Sequence, residues 1–211
     1  MANEQGRYDF LKEAFGSIFS VYSEFKAAAS FKDDDIKVVR KSFRPPGAIA
    51  EAEFLKTCTR CDECIKACPE NAIMKVIMLG SVLHLTPIIN FREAPCRLCV
   101  DLPCTKSCSA GALVKVESVS DVKIGVARIN RNLCYSWLGQ DCEYCVSSCP
   151  LSGEAIAKNE EGKPVIDEAK CSGCGVCEFI CPVRTSAVMV INLHEGSALN
   201  IYGLPQGNSF P

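Results

Sequence analysis

The sequence is poor in the residues and loops on which most enzyme active sites depend. Among 211 residues there are only two histidines, His84 and His194, and neither lies near a second candidate ligand or nucleophile. Neither a G-x-G-x-x-G loop nor a G-x-x-x-x-G-K-[ST] loop is present, so both common nucleotide-binding motifs are missing. We therefore predict that the chain has no catalytic site of its own and that both histidines are surface or structural residues.

Two further absences exclude broad classes of protein. No uninterrupted apolar run approaches the roughly 18 residues that a membrane-spanning helix requires, so no membrane span is predicted. The formal net charge is −2, and nothing in the sequence indicates a surface that binds nucleic acid. A composition of 48% hydrophobic and 23% charged residues is typical of a globular protein.

Cysteine, by contrast, is abundant and regularly placed. Sixteen cysteines fall into four groups of four, numbered here 1 to 4 in chain order. The first members of the groups, Cys58, Cys96, Cys134 and Cys171, recur every 37 or 38 residues. The chain therefore repeats one cysteine-bearing unit four times.

Groups 1 and 4 share the spacing C-x2-C-x2-C-x3-C-P, which is typical of bacterial ferredoxins that bind 4Fe–4S clusters. Group 1 consists of Cys58, Cys61, Cys64 and Cys68, and group 4 consists of Cys171, Cys174, Cys177 and Cys181. Groups 2 and 3 are irregular variants, with Cys96, Cys99, Cys104 and Cys108 in one and Cys134, Cys142, Cys145 and Cys149 in the other. Sixteen thiolates suit four cubanes, so the sequence predicts four 4Fe–4S clusters as cofactors.

Disulfide bonds and structural zinc are the other common uses of so many cysteines. Disulfide frameworks belong to small chains made in oxidising compartments, and no clean signal peptide opens this sequence. Four-cysteine zinc sites usually consist of two C-x2-C knuckles separated by a longer loop, whereas here three cysteines share a seven-residue loop. Both alternatives are therefore less favoured than iron–sulfur clusters.

The spacing also predicts which cysteines share a cluster. Three closely spaced thiolates can hold three corners of a cubane, while the cysteine before proline points toward a neighbouring cluster. Because groups 1 and 4 are regular and groups 2 and 3 are not, we expect a nested arrangement, in which group 1 pairs with group 4 and group 2 with group 3. The four expected ligand sets are Cys58, Cys61, Cys64 and Cys181; Cys171, Cys174, Cys177 and Cys68; Cys96, Cys99, Cys104 and Cys149; and Cys134, Cys142, Cys145 and Cys108. The alternative is sequential pairing, of group 1 with group 2 and of group 3 with group 4, because consecutive elements are usually neighbours in space.

The segments between the groups indicate an α+β, ferredoxin-like fold. Extended segments are predicted at residues 87–90, 126–129 and 164–167, and a short strand is predicted after each group. We expect two nested dicluster modules: an outer module of residues 44–80 and 160–192, and an inner module of residues 81–159. In group 4, Gly173 and Gly175 are expected to let the backbone approach the cluster and direct N–H groups at its sulfurs. We expect residues 193–211 to form a C-terminal tail.

Residues 1–43 are expected to form an amphipathic helix followed by a linker. A wide apolar stripe recurs at helical spacing, and it consists of Phe10, Leu11, Ala14, Phe15, Ile18, Phe19, Tyr22 and Phe25. Such a stripe either packs on the chain's own core or docks to a partner subunit, and aromatic side chains favour docking. A helix lying in a membrane interface is less favoured, because the polar face is not strongly basic.

Several of these segments resemble the NapG/MauM-type four-cluster ferredoxins, named for the iron–sulfur subunit that accompanies periplasmic nitrate reductase. The resemblance runs from Arg44 to about Ile191 and rests on RPPGAI at Arg44, CTRCDECIKACP at Cys58, CRLCVDLPCTKSC at Cys96, KIGVARI at Lys123, CYSWLGQDCEYCVSSCP at Cys134 and CSGCGVCEFICP at Cys171. The long first gap of group 3 is the most discriminating of these features. The resemblance implies four 4Fe–4S clusters and an electron relay, often between a membrane-bound quinol dehydrogenase and a downstream redox partner.

The sequence departs from the family pattern at two places. Ser109 replaces the proline after group 2, which we expect to be tolerated because that proline ligates nothing. The family usually carries a twin-arginine export signal, whereas here the motif at Arg7 has tyrosine in place of its second arginine, and Glu13 and Glu24 interrupt the apolar region. We therefore expect a cytoplasmic protein, the alternative being a periplasmic one exported through the degenerate motif or by a partner's signal.

The function predicted from the sequence is the relay of single electrons through four clusters, as a subunit of or donor to a multi-subunit oxidoreductase. The expected partners are redox proteins, such as a quinol dehydrogenase or a pterin oxidoreductase, docking through Phe10, Phe15, Ile18, Phe19 and Tyr22. Two alternatives stay open: the electron-transfer subunit of a cytoplasmic molybdenum or tungsten pterin enzyme, and a scaffold protein that hands clusters to other proteins.

Overall fold

The structure, a computed structural model, describes residues 43–192, all of which belong to one compact unit. These residues form short helices and short strands, which confirms the mixed α and β content predicted from the sequence. The helices are α1 (Glu51–Thr57), α2 (Glu63–Lys66), α3 (Pro103–Lys106), α4 (Tyr144–Ser147) and α5 (Val176–Ile180), with a 3-10 turn at Val119–Asp121. The strands are β1 (Ile73–Lys75), β2 (Pro87–Ile89), β3 (Val126–Ile129), β4 (Ile156–Lys158), β5 (Pro164–Ile166) and β6 (Val188–Ile191).

The strands pair into three antiparallel ladders of two strands each. β1 pairs with β2 so that Ile73 faces Ile89, and β4 pairs with β5 so that Ile156 faces Ile166. β3 pairs with β6, joining the segment before group 3 to the segment after group 4. The β-branched residues that dominate these strands favour extended backbone, and two-stranded ladders of this length depend on packing against neighbouring elements for their stability.

Two similar modules follow one another along the chain. In the N-terminal module, residues 43–116, the β1–β2 hairpin connects group 1 to group 2 and helix α2 packs against α3. In the C-terminal module, residues 122–192, the β4–β5 hairpin connects group 3 to group 4 and α4 packs against α5. Each module therefore contains two consecutive cysteine groups joined by a hairpin.

This order differs from the nested modules expected from the sequence. The expected boundaries at residues 80/81 and 159/160 fall inside the two hairpin loops, so they would separate β1 from β2 and β4 from β5. A hairpin keeps the segments on either side of it adjacent, because its two strands are hydrogen-bonded to each other. The structure therefore supports sequential modules and not an inner module inserted into an outer one.

The ends of the two modules are closed in different ways. In the C-terminal module the ends form the four-residue β3–β6 ladder, with Val126 opposite Ile191 and Ile129 opposite Val188. In the N-terminal module the corresponding segments meet only at a single bridge between Ala48 and Leu113. The strand predicted after group 2 is therefore reduced to this bridge, whereas the strands predicted after groups 1, 3 and 4 are present as β1, β4 and β6.

A buried arginine links elements of the N-terminal module, whose end segments pair through a single bridge. Arg44, only 8% exposed, donates two hydrogen bonds to the carboxylate of Glu51, at 2.9 and 2.6 Å. It also donates to the hydroxyl of Thr86 at 2.9 Å and to the carbonyl of Pro87 at 2.8 Å, and its guanidinium carbon lies 4.5 Å from the ring centre of Phe54. A bidentate pair with further acceptors satisfies a buried guanidinium, so Arg44 connects helix α1 to strand β2.

The hydrophobic core extends through both modules and includes cysteine side chains. The larger cluster contains Phe43 and Phe91, whose ring centroids are 4.5 Å apart, together with Ile89, Val176 and Val188. A smaller cluster in the N-terminal module is built around Phe54, Ala112 and Leu113. Across residues 43–192, no helix has the length and apolar character needed to cross a lipid bilayer. The predicted N-terminal helix and the C-terminal tail lie outside the described residues.

Candidate metal centres

The sixteen cysteines come together in four sets, each combining three thiols of one group with the last thiol of another. Site 1 consists of Cys58, Cys61, Cys64 and Cys108, which line one cavity. Site 2 consists of Cys68, Cys96, Cys99 and Cys104, which line a second cavity. Site 4 consists of Cys149, Cys171, Cys174 and Cys177, which line a third. Sites 1, 2 and 4 leave Cys134, Cys142, Cys145 and Cys181, which we group as site 3; burial raises the pKa of the Cys145 thiol, and the other three thiols raise it further.

These sets do not match the nested pairing expected from the sequence. Cys181 lies with the thiols of group 3 and not with Cys58, and Cys68 lies with the thiols of group 2 and not with Cys171. In the same way Cys108 lies with group 1, and Cys149 with group 4. The physical reason is the hairpin between consecutive groups, which turns the chain back and packs the two helical turns against each other. The shared regular spacing of groups 1 and 4 shapes each loop locally and does not determine which group lies beside it.

The chemistry of each set fits a 4Fe–4S cluster. None of the sixteen cysteines forms a disulfide bond. Backbone N–H groups donate to the sulfur of the last cysteine in three of the groups, at 3.4 Å from Ala72 to Cys68, 3.3 Å from Leu113 to Cys108 and 3.3 Å from Ala187 to Cys181. Hydrogen bonds of this kind stabilise a thiolate that ligates iron. Four converging thiols with such donors match the ligand set of a cubane.

The buried thiols are poor acids in the protein alone. Burial, with the nearby Cys58 and Cys108 thiols, raises the pKa of the Cys64 thiol to about 12. Burial likewise raises the pKa of Cys96 to about 12 and that of Cys145 to about 11. Ligation by iron would reverse this effect, because the cation stabilises the thiolate and the proton is released. Cluster binding at these thiols would therefore be coupled to the folding of their loops.

The exposed cysteine of site 1 behaves differently. The backbone N–H of Glu63, followed by the hydroxyl of Thr59, lowers the pKa of the Cys61 thiol. Cys61 is exposed, whereas Cys171, Cys174 and Cys177 of site 4 are all buried. Sites 1 and 4 thus have the same sequence spacing and opposite solvent access.

The loops that carry groups 1, 2 and 4 share an unusual backbone conformation. The second residue after the first cysteine has a positive φ in all three, 60° at Arg60, 52° at Leu98 and 69° at Gly173. The residue that begins each helical turn is also left-handed, with a φ of 67° at Asp62, 42° at Leu102 and 83° at Gly175. An L-residue in this region costs roughly 1–2 kcal/mol, so in groups 1 and 2 the packing of the loops holds strained residues in place.

The two glycines of group 4 also lie where no side chain fits. A Cβ on Gly173 would lie 2.3 Å from the backbone of Gly125, and a Cβ on Gly175 would lie 2.2 Å from the ring of Phe91. These glycines therefore admit neighbouring protein segments to the loop, in addition to adopting a positive φ. Aligning the groups by their first cysteines reveals the shared left-handed positions, but only the tertiary structure reveals the contacts with Gly125 and Phe91.

An aromatic anchor fixes the long first gap of group 3. The indole N–H of Trp137 donates to the carbonyl of Pro164 in β5 at 3.1 Å. The guanidinium carbon of Arg131 lies 4.2 Å from a ring centre of Trp137, and the Lys163 ammonium nitrogen lies 5.1 Å from a ring centre of the same indole. Cation–π contacts of this kind stabilise an otherwise irregular segment, so the loop between Cys134 and Cys142 is attached to the β4–β5 hairpin.

The four sites are close enough for thiols of adjacent sites to influence one another. Burial raises the pKa values of Cys64, Cys96 and Cys177, and a thiol of a neighbouring site raises each of them further. The three pairs are Cys64 of site 1 with Cys104 of site 2, Cys96 of site 2 with Cys174 of site 4, and Cys177 of site 4 with Cys145 of site 3. A backbone hydrogen bond of 3.0 Å from Cys96 to the carbonyl of Cys174 links the two modules at the central junction.

The histidine in the described residues has a structural role, as its isolation in the sequence suggested. The Nδ1 atom of His84 accepts a hydrogen bond from the backbone N–H of Met78 at 3.2 Å. The backbone N–H of His84 donates to the carbonyl of Ser81 at 3.0 Å. Together these two hydrogen bonds close the loop between β1 and β2. His194 lies outside the described residues.

Comparison with known families and proteins gives a consistent assignment. A family profile of the 4Fe–4S dicluster domain matches residues 139–185, and one of the 4Fe–4S binding domain matches residues 55–74. The methylamine utilization ferredoxin-type protein MauM of Methylobacillus flagellatus is 36% identical over 157 residues, covering 70% of this chain and 67% of the relative. The ferredoxin-type protein NapG of Escherichia coli K12 is 35% identical over 162 residues, covering 71% and 70%.

A second MauM protein extends the match. That of Methylorubrum extorquens is 34% identical over 175 residues, which cover 78% of this chain and 79% of the relative. The matched proteins are described as ferredoxin-type, and the matched profiles describe 4Fe–4S binding. The chain therefore belongs to the NapG/MauM family of ferredoxin-type proteins, and it is an iron–sulfur electron-transfer protein of an oxidoreductase system.

Proposed function

We propose that this chain relays single electrons through four 4Fe–4S clusters, one held by the thiols of each of sites 1 to 4. The observation that carries the proposal is the convergence of the cysteines into four-thiol sets that adjoin one another. Bound clusters supply reversible one-electron chemistry. The protein supplies the ligands, the N–H donors to sulfur and a buried, low-dielectric setting.

The relay has an order that differs from the order of the groups in the sequence. The thiol interactions across site boundaries support the series site 1, site 2, site 4 and site 3. Sites 2 and 4 are therefore the inner positions, and sites 1 and 3 are the ends at which partners exchange electrons. The exposed Cys61 at site 1 is consistent with an end position.

The chain acts without a catalytic site of its own in this proposal. The sixteen cysteines, none of which forms a disulfide bond, all serve as ligands in it, and His84 is engaged in a backbone contact. The substrate chemistry belongs to partner oxidoreductases, for which a quinol dehydrogenase and a pterin oxidoreductase are the candidates. MauM relatives are named for methylamine utilization. The proposed redox partner of this chain is a protein that donates or accepts single electrons.

The N-terminal stripe of Phe10, Phe15, Ile18, Phe19 and Tyr22 is proposed as an anchor for that partner, in the cytoplasm. Deleting residues 1–30 tests the anchor, because the cysteine groups lie outside the deleted segment. The expected result is a protein that keeps its iron and no longer co-purifies with its redox partner. Continued co-purification would remove the anchor from the proposal, and fractionation of the native host tests the location.

The relay itself is tested by anaerobic preparation of the full chain. We expect about sixteen irons per chain and reversible bleaching of the visible absorption by dithionite. EPR of the reduced protein should show magnetic coupling between signals, since adjacent sites share a boundary. Zinc in place of iron, or much less iron than four cubanes require, contradicts the proposal. Rapid transfer of iron to an apo-acceptor favours a scaffold protein instead.

A further inference from the structure

One buried hydroxyl is left without a partner, and it lies at site 4. Ser172 is 2% exposed, and its Oγ is the buried side-chain oxygen or nitrogen that has no hydrogen-bond partner within residues 43–192. A buried hydroxyl without a partner is unfavourable, so native proteins usually satisfy such groups with protein, water or a bound group. The position of Ser172 therefore suggests that something else accepts its hydrogen bond.

The surroundings of Ser172 identify the acceptor. Ser172 lines the same cavity as Cys149, Cys171, Cys174 and Cys177, the four thiols of site 4. Its carbonyl accepts a hydrogen bond of 2.8 Å from the backbone N–H of Ile124, which fixes the residue in the loop. Sulfur is thus the acceptor that the cavity offers to this hydroxyl.

Ser172 lies between Cys171 and Cys174 in the chain, so the loop holds its hydroxyl beside thiols of site 4. Thr59 occupies the equivalent position of group 1, between Cys58 and Cys61, but it is exposed to solvent.

We propose that the Ser172 hydroxyl donates a hydrogen bond to a sulfur of site 4 when that site holds its cluster, and that this bond raises the reduction potential of the cluster. The inference rests on the proposed function, because it requires a cluster at site 4. Reduction adds negative charge to the cluster and its sulfur ligands, so a donor stabilises the reduced form more than the oxidised form. Ser172 acts as a positioning and tuning residue at an inner site of the relay.

The effect should be stronger at site 4 than at site 1. At site 4 the donor is buried and water does not compete for the sulfur, whereas at site 1 water reaches both Thr59 and Cys61. The same side-chain chemistry at equivalent positions therefore produces different shifts in potential. This difference provides a matched control within one chain.

The test is an anaerobic redox titration of the full holo-protein, followed by EPR. A Cys149→Ser variant first identifies the site 4 signal by its loss or alteration. In Ser172→Ala we expect that signal to titrate at a lower potential than in the wild type, with the iron content unchanged. Ser172→Thr, which keeps a hydroxyl, is expected to titrate close to the wild type, and Thr59→Val to cause a smaller shift in a different signal.

The outcomes separate this inference from the proposed function. If the wild type lacks 4Fe–4S signals, the proposed function fails. If four clusters are present and Ser172→Ala leaves the reduction potential of site 4 unchanged, the tuning role is overturned. It is also overturned if Ser172→Thr shifts that potential as far as Ser172→Ala does. Should Ser172→Ala lose iron, Ser172→Gly provides a second variant without the hydroxyl, and an unshifted potential in that variant also overturns the role.

Discussion

Groups 1 and 4 have the same cysteine spacing and nearly the same loop backbone, yet they lie in different environments. In group 4 the first three cysteines are buried, and the loop is covered by Gly125 on one side and Phe91 on the other. In group 1, Cys61 and Thr59 are exposed, and the neighbouring element is the loop between β1 and β2. The comparison teaches that spacing determines the shape of a ligand loop, while packing of other segments determines its solvent access.

The largest expected difference concerns the two last cysteines that complete these sites. Cys108→Ser removes a ligand from peripheral site 1, and Cys149→Ser removes one from central site 4. Each variant should lose up to about a quarter of the iron, because one of four clusters is affected. Cys149→Ser should lower the midpoint of thermal unfolding by roughly 10 °C more than Cys108→Ser does. Site 4 lies against the junction between the modules, and metal binding there contributes to folding.

Iron analysis, EPR and thermal unfolding of the two anaerobic variants measure this difference. The wild type and a Ser109→Ala variant, which changes a residue beside Cys108 and no ligand, serve as controls. Equal midpoints for Cys108→Ser and Cys149→Ser would break the comparison between a peripheral and a central site. Loss of the same EPR signal in both would contradict the proposed ligand sets.

A smaller difference in stability is expected between substitutions at the equivalent left-handed positions of groups 4 and 1. Gly175→Ala places a Cβ 2.2 Å from the Phe91 ring at a φ of 83°, so both strain and overpacking apply. We expect a cost of roughly 2–4 kcal/mol in holo-protein stability. Asp62→Ala at the matching position of group 1 keeps a non-glycine residue at a φ of 67° and removes a partly exposed ion pair with Lys75. Its expected cost is below about 1 kcal/mol.

Denaturant-induced release of iron under anaerobic conditions measures both variants on one scale. Gly153→Ala is the matched control, because Gly153 has a φ of 84° with no atom within 4 Å of its added Cβ. That variant isolates the cost of backbone strain from the cost of the clash. A Gly175→Ala midpoint equal to that of Gly153→Ala would show that Phe91 moves aside freely and that group 4 is not tightly packed.

The sequence was sufficient for the ligands and for much of the local structure. The extended segments expected at residues 87–90, 126–129 and 164–167 correspond to β2, β3 and β5, because β-branched runs bounded by turns favour strands. The pairing of groups was not predictable from spacing. It depends on which way each hairpin returns the chain, and the nested expectation failed because similarity of two loops says nothing about their distance. The contacts that bury group 4, from Gly125 and Phe91, come from residues remote in sequence and leave no local pattern.

The smallest effect is expected from a substitution on the solvent-exposed side of group 1. Arg60, the counterpart of Gly173, donates from its guanidinium to the carbonyls of His84 at 3.0 Å and Val82 at 3.1 Å. Arg60→Ala should cost about 0.5–1 kcal/mol, because the hydrogen bonds are exposed and water replaces them. The cost should appear as local opening of the β1–β2 loop, with amide exchange of Leu85 accelerated about 2–5-fold.

Hydrogen exchange of the holo-protein separates local from global effects at this position. The Leu85 amide, which donates to Val76 at 2.8 Å, reports on the β1–β2 loop, and the Gly162 amide, which donates to Asn159 at 2.9 Å, reports on the other hairpin. Only the first should exchange faster in Arg60→Ala, and Arg60→Lys should give an intermediate rate because it keeps the charge without the planar donors. If Arg60→Ala releases iron as readily as Gly175→Ala, the group 1 loop is as tightly held as the group 4 loop. In that case solvent access, and not packing, is the property in which the two loops differ.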